Sequence, residues 1–252
     1  MQYDKLLNLG TELGRHLMTC GAEIYRVEES VHRLLTAYGL EPQVFAIPTC
    51  LIVSVVPPNG QPLTRMCRIP AHGTDIEGME RFNDLCRRLC QNPIPVEDAH
   101  RQLDQLAARI PHHTPKTILF GYAVTTCFFS LFFGGSFLDC LCAALCGLIV
   151  GLCLLYGRRL TGSNTFFRTA VCAAVAASTA LLLVWLGFGQ SVDAITIGTL
   201  MVLVPGMALT NAMREIMAGD VISGLTRTAE VILIAAAIAL GTAIPMLFSS
   251  LL

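Results

Sequence analysis

A chain of 252 residues that is 54% hydrophobic and only 14% charged departs from soluble domains, whose charged share is about 25%, and its mean hydropathy of +0.61 points to a membrane. A formal net charge of −1 excludes a chain built to bind nucleic acid or a strongly acidic partner. The 11 cysteines include no Cys-x-x-Cys pair, and no His follows Cys86 and Cys90 at zinc-finger spacing; they read as small buried hydrophobes in a reducing compartment, with no metal or other cofactor expected.

The charge is unevenly spread. All six His and most of the 17 Lys+Arg and 18 Asp+Glu precede Thr117, and beyond it stand five Arg, five acids and no Lys. This predicts a polar domain over 1–115 and a membrane domain over 116–252. The opening "MQYDKLLNLGTELGRHL" has no basic stretch followed by an unbroken apolar core, so it is not read as a secretory signal, and the polar domain is expected in the cytoplasm.

Leu6, Leu9, Leu13 and Leu17 share one face of a predicted helix over 3–19. After Gly21, residues Ile24, Val27, Val31, Leu34, Leu35 and Tyr38 repeat the pattern up to Gly39, a natural stop. "QVFAIP", "CLIVSVV" and "PLTRMCRIP" read as strands, the last two separated by the turn signal "PPNG". Helices are predicted again over 75–90 and 96–110, which gives an α+β cytoplasmic domain of order α-α-β-β-β-α-α. In "GAEIYRVEESVHRLL", Glu23 and Arg26 stand i, i+3, as surface ion pairs worth roughly 0.2–0.5 kcal/mol do. The other reading has Glu23, Arg26 and Glu28 lining a cytoplasmic vestibule or docking on the membrane half. The chain has no Gly-x-Ser-x-Gly elbow, His-Glu-x-x-His helix or Walker loop, so it is not expected to be an enzyme.

"RIPHHTPKT" marks the boundary, with His112 and His113 read as linker. Five apolar segments follow near 118–133, 140–156, 169–188, 194–209 and 231–252, predicting an all-α bundle of five transmembrane helices. Arg158, Arg159, Arg168, Arg214 and Arg227 then all fall in inner loops, 157–168 and 211–228, whereas the outer loops "GGSFLD" and "GFGQSVD" carry only Asp139 and Asp193 as charges. An odd number of crossings puts Leu252 outside. Gly147 and Gly151, with Ala170, Ala174 and Ser178, have the four-residue spacing of close helix packing, and a partner or self-association is expected.

"VPGMALTNAMREIMAGDVISGLTR" gathers helix breakers and ionisable groups between apolar runs. Pro205 lacks an N–H and Gly206 frees the backbone, an interruption that survives in a bilayer only against protein or water. Asn211 and Arg214 follow within a few turns and could face the same cavity, Arg214 offering a carboxylate two parallel bonds. Alternatively the Pro205–Gly206 break is only a kink, and Arg214, Glu215 and Asp220 sit in a wet inner loop. Glu230 follows Arg227 by one turn, either as its ion-pair partner or as a proton-coupling acid.

The segment "LVPGMALTNAMREIMAGDVISGLTRTAEVILIAAAIALG" resembles the signature of the threonine/serine exporter (ThrE-type) family through its Val-Pro-Gly turn, Asn211, Arg214, Gly219-Asp220, Ser223-Gly224, Arg227 and Glu230. "TCGAEIYRVEESVHRLLTAYG" is similar to the family's Gly-Ala-Glu…Arg-x-Glu helix through Gly21, Glu23, Arg26, Glu28 and Gly39. The resemblance implies export of small carboxylate metabolites across a bacterial inner membrane, amino acids such as threonine and serine or dicarboxylates such as succinate. It further implies a substrate pathway through Pro205, Gly206, Asn211, Arg214, Asp220, Arg227 and Glu230. Long members of the family have ten spans and this chain matches their first half, so a separate small hydrophobic membrane subunit is the implied partner. The alternative is a membrane-tethered enzyme or sensor whose bundle only anchors the N-terminal domain.

Overall fold

The computed structural model describes residues 2–57, 60–70, 73–110, 113–157 and 164–250. Pro58 and Asn59 of the turn signal, His112, Arg158, Arg159 and Leu252 lie outside the described residues.

The leucine spacing of the N-terminal region becomes two packed helices. α1 (Gln2–Thr19) buries Leu6, Leu9, Leu13 and Leu17, and α2 (Ile24–Ala37) buries Ile24, Val27, Val31, Leu34 and Leu35. Strands β1 (Pro42–Ile47), β2 (Cys50–Val55) and β3 (Leu63–Arg68) pair antiparallel in the order β1-β2-β3, with Val44 opposite Val53 and Val53 opposite Arg65. The central strand buries every second residue, Leu51, Val53 and Val55, and Leu51 fits over Gly14 of α1. α3 (Ile76–Gln91) starts where the Asp75 carboxylate accepts the Gly78 N–H at 2.9 Å, and α4 (Val96–Arg109) follows Pro95. Phe82, Leu85, Leu89, Ala99 and Leu103 complete one hydrophobic core.

The apolar half forms α5 (Pro115–Phe132), α6 (Phe137–Tyr156), α7 (Thr165–Trp185), α8 (Val192–Leu200), α9 (Gly206–Ala218) and α10 (Val221–Ser250). Its helices meet through small residues. A Cβ on Gly147 would come within 2.3 Å of Thr126 Oγ1, one on Gly198 within 2.6 Å of the Ser130 nitrogen, and one on Gly241 within 2.2 Å of the Ala170 oxygen.

The expected fold class is corrected. Among the described residues there are ten helices and one small three-stranded sheet, and four helices, α5, α6, α7 and α10, are long and apolar enough to cross a bilayer. The fourth of the five expected spans is not a helix of that kind. It breaks over 201–205, leaving α8 with nine residues, about 14 Å long at 1.5 Å per residue against a hydrocarbon core of about 30 Å. Nor does a self-standing α+β domain precede a bundle. One compact unit comprises Met1–Pro111 together with Met207–Thr228, the other His112–Gly206 with Ala229–Leu252. The stretch 211–228, expected as an inner loop, is instead most of α9 and the start of α10. It belongs with the N-terminal residues because its polar side chains find their partners there.

Candidate functional site

The first compact unit closes around the turn between α1 and α2. Gly21, at φ +91°, ends α1: its N–H reaches the Met18 carbonyl at 3.0 Å and the Ala22 N–H reaches that of Leu17 at 3.1 Å. A Cβ at Gly21 would lie 2.2 Å from the Gly73 carbonyl oxygen. On that side the turn is pinned by backbone bonds, Gly73 N–H to Thr19 and Asp75 N–H to Cys20, both 3.0 Å.

Other bonds to the turn come from side chains of α9 and α10. Asn211 donates from Nδ2 to the Gly21 carbonyl at 3.4 Å, and Arg227 from Nη2 to that of Ala22 at 3.3 Å. The Ile24 N–H, at the start of α2, donates to Glu215 Oε1 at 3.3 Å. Arg227 Nε stands 3.4 Å from that same oxygen, within ion-pair range although not aligned as a hydrogen bond. Glu23, the residue that caps α2, holds two guanidinium groups: Arg214 Nη1 at 3.0 Å on Oε1 and Arg26 Nε at 3.2 Å on Oε2. We refer to this arrangement as the clasp.

Helical spacing explains why α9 can do this. Asn211, Arg214 and Glu215 stand at i, i+3 and i+4, on one face. Gly219, at φ +100°, ends α9 with its N–H on the Ile216 carbonyl, and the chain reverses into α10. Gly224 then sits against Ile216 and the Ala212 carbonyl, where its absent side chain lets the two helices approach. That approach brings Arg227 to Glu215.

Glu215 is fully buried, and burial pushes its carboxyl above the usual glutamate value; Arg227 and the Ile24 N–H pull it down, while Asp220 and Glu23 add to the rise. Its second oxygen, Oε2, is buried without a hydrogen-bond partner. Burial also raises the Glu28 carboxyl, against the Ala46 N–H that it accepts at 2.7 Å and with the Asp220 charge adding to the rise.

Of the residues singled out from the sequence, Glu23, Arg26, Asn211, Arg214 and Arg227 are therefore brought together, with Glu28 and Asp220 as neighbouring acids. Glu23 and Arg26 do pair, with the Glu23 carboxylate buried and the Arg26 side chain exposed to solvent. Pro205 ends the break before α9, and Gly206 is the first residue of that helix. Glu230 is exposed on α10, in the second compact unit. Glu215 was not singled out as a site residue; its position four residues after Asn211 and beside Arg214 was the available signal.

A second buried carboxylate, also missed, lies in the other unit. Asp139, 1% exposed, forms a capping box with Ser136 at the start of α6. Its Oδ2 accepts the Ser136 N–H and hydroxyl at 2.9 and 2.7 Å, and its Oδ1 accepts the Gln190 and Ser191 N–H groups at 2.6 and 3.0 Å.

The sequence profile of the family described as "Putative threonine/serine exporter" (ThrE) matches residues 8–249. A "Probable threonine/serine exporter" of Mycobacterium tuberculosis is 26% identical over 249 residues, covering 96% of this chain and 46% of that protein. Pheromone-regulated membrane protein 10 of Debaryomyces hansenii is 24% identical over 223 residues, covering 84% of this chain and 21% of that protein. An uncharacterized protein of Schizosaccharomyces pombe is 27% identical over 161 residues, covering 62% and 21% respectively. The chain thus spans less than half the length of these relatives. No solved structure matches it significantly.

Proposed function

The chain belongs to the threonine/serine exporter family, and from that premise we propose that it is one subunit of an exporter of small carboxylate metabolites, amino acids such as threonine and serine or dicarboxylates such as succinate. The observation that carries this reading is the match of nearly the whole chain to the family, alongside coverage of only 46% of the mycobacterial exporter. The proposed partner is a separate, small hydrophobic membrane subunit, and the working exporter is a hetero-oligomer of the two in a bacterial inner membrane. The distribution of arginines supports an N-terminal unit in the cytoplasm.

Within this reading the substrate pathway takes in the helix break before α9 and the clasp, with Pro205, Gly206, Asn211, Arg214, Asp220, Arg227 and Glu230 as its residues. Arg214 is the group for the substrate carboxylate: its side chain is 59% exposed and is held by a single carboxylate, that of Glu23. An incoming carboxylate competes with Glu23 for Arg214 and loosens the seat of α9 on the turn. Asn211 and Arg227, tied to backbone carbonyls, keep that seat in register. A membrane-tethered enzyme or sensor is disfavoured, because the family and the mycobacterial relative are both described as exporters.

The test is efflux from vesicles holding this chain with and without a second-half subunit, preloaded with threonine, serine or succinate. Efflux should require both chains. Efflux by this chain alone would refute the two-subunit proposal, and none from the pair would refute export of these substrates.

A further inference from the structure

Away from the clasp, α2 and α3 enclose a cleft of about 500 Å³. Arg26 and Arg33, two turns apart on α2, face it from one wall, and Arg87 of α3 from the other; Glu29 is its one carboxylate. Glu29 is engaged by Arg33 at 2.5 Å. Arg26 shares Glu23 with Arg214, so one carboxylate serves two guanidinium groups and that row keeps a net positive charge. Arg87 is exposed and forms no ion pair among the described residues. Ser30 and Asn83 add polar groups between the charged walls.

The floor is uncharged. Cys86 is buried and donates its thiol to the Ser30 carbonyl at 3.5 Å, and burial pushes that thiol up to about 12 even though Arg33 and Arg87 pull the other way. Three guanidinium groups in a concave site, one of them unpaired and another underpaired, favour a ligand with two or more anionic oxygens, which their forked N–H groups bind in pairs.

We propose that the α2–α3 cleft is a binding site for a small oxyanion ligand, a di- or tricarboxylate or a phosphate ester, held by Arg26, Arg33 and Arg87. The site is distinct from the pathway proposed above, yet one residue links them. A ligand that draws Arg26 toward the cleft leaves Glu23 to Arg214 alone and tightens the clasp. Occupancy of the cleft would therefore oppose the release of Arg214 to substrate, which is how an inhibitory metabolite would act.

The experiment is titration calorimetry on the full chain in detergent, with inorganic phosphate, succinate and citrate as separate probes against chloride at matched ionic strength. One-to-one saturable binding of at least one probe is expected, weakened at least tenfold in Arg87→Ala and again in Arg33→Gln. Saturation by phosphate but neither carboxylate assigns the site to phosphate esters, and the reverse assigns it to carboxylates. Should Arg87→Ala not fold, Arg87→Gln and Arg33→Gln carry the same test, with an unchanged unfolding temperature as the control. Heats no larger than those of chloride, or binding unaltered by these substitutions in folded protein, would overturn the proposal. Neither result depends on efflux, so it stands or falls separately from the exporter reading.

Discussion

Glu215 and Asp139 are both buried acids that accept backbone N–H groups from distant segments, yet they are furnished differently. Asp139 uses both oxygens, for three N–H groups and one hydroxyl, all within the apolar unit. Glu215 spends one oxygen on the Ile24 N–H and on Arg227 together, while the other has no hydrogen-bond partner. A carboxylate with every lone pair in use is a fixed part of the fold. One whose ionised form rests on a single guanidinium is conditional, and so is whatever it holds. What it holds is α9 on the turn between α1 and α2, the place where the family's two motifs meet.

The largest effect should come from removing that guanidinium. Arg227→Met leaves the Glu215 charge buried and takes the donor from the Ala22 carbonyl, which should cost roughly 3–5 kcal/mol in unfolding free energy. Adding Glu215→Gln should recover most of that loss, because the orphaned charge goes with it. A double variant as unstable as the two single effects summed would show that the pair is not coupled.

The saturated acid should behave more simply. Asp139→Ala strips the acceptor from the Ser136, Gln190 and Ser191 N–H groups and should cost roughly 1–3 kcal/mol. Hydrogen exchange should quicken at Gln190 and Ser191. If protection there is unchanged, water or another group has replaced the carboxylate, and the contrast with Glu215 fails.

Part of this contrast was legible in the sequence. The leucines of α1 and the Ile24–Leu35 pattern of α2 revealed their helices because one apolar face was enough to place them. The interruption at Pro205 could also be read, since an absent N–H is a local fact. Two features were not legible. Residues 194–209 are apolar enough to pass for a span, yet composition does not say that the helix stops after Leu200. Residues 221–228 look like the end of a loop because Ser223 and Arg227 are polar, whereas α10 begins at Val221 and buries both. The pairing of Glu23 with Arg214, 191 residues apart, follows from tertiary geometry that no local spacing encodes.

The conditional acid should also show in the pH dependence of stability. Burial raises the Glu215 carboxyl above its ordinary value of 4.5, so near that pH the folded state binds more protons than the unfolded one. Stability from this group is complete below about 4.5 and is lost as pH rises through the folded value. Glu28 acts in the same direction. Unfolding midpoints should therefore fall from pH 4.5 upward, and less steeply in Glu215→Gln. An equal slope in that variant would place the proton elsewhere.

The smallest expected effect on stability belongs to Arg214. Its side chain is 59% exposed and its ion pair with Glu23 meets solvent, so Arg214→Ala should change the unfolding free energy by less than about 1 kcal/mol. Glu23 keeps Arg26, and the turn keeps Asn211, Arg227 and Glu215. Efflux should nonetheless collapse in the two-subunit assay, because the group proposed to meet the substrate carboxylate is gone. Arg214→Lys should restore it only in part, since an ammonium lacks the paired N–H groups. A protein that unfolds on losing Arg214 would make this residue one more structural tie. A stable one that still exports at the wild-type rate would move the substrate contact away from the clasp.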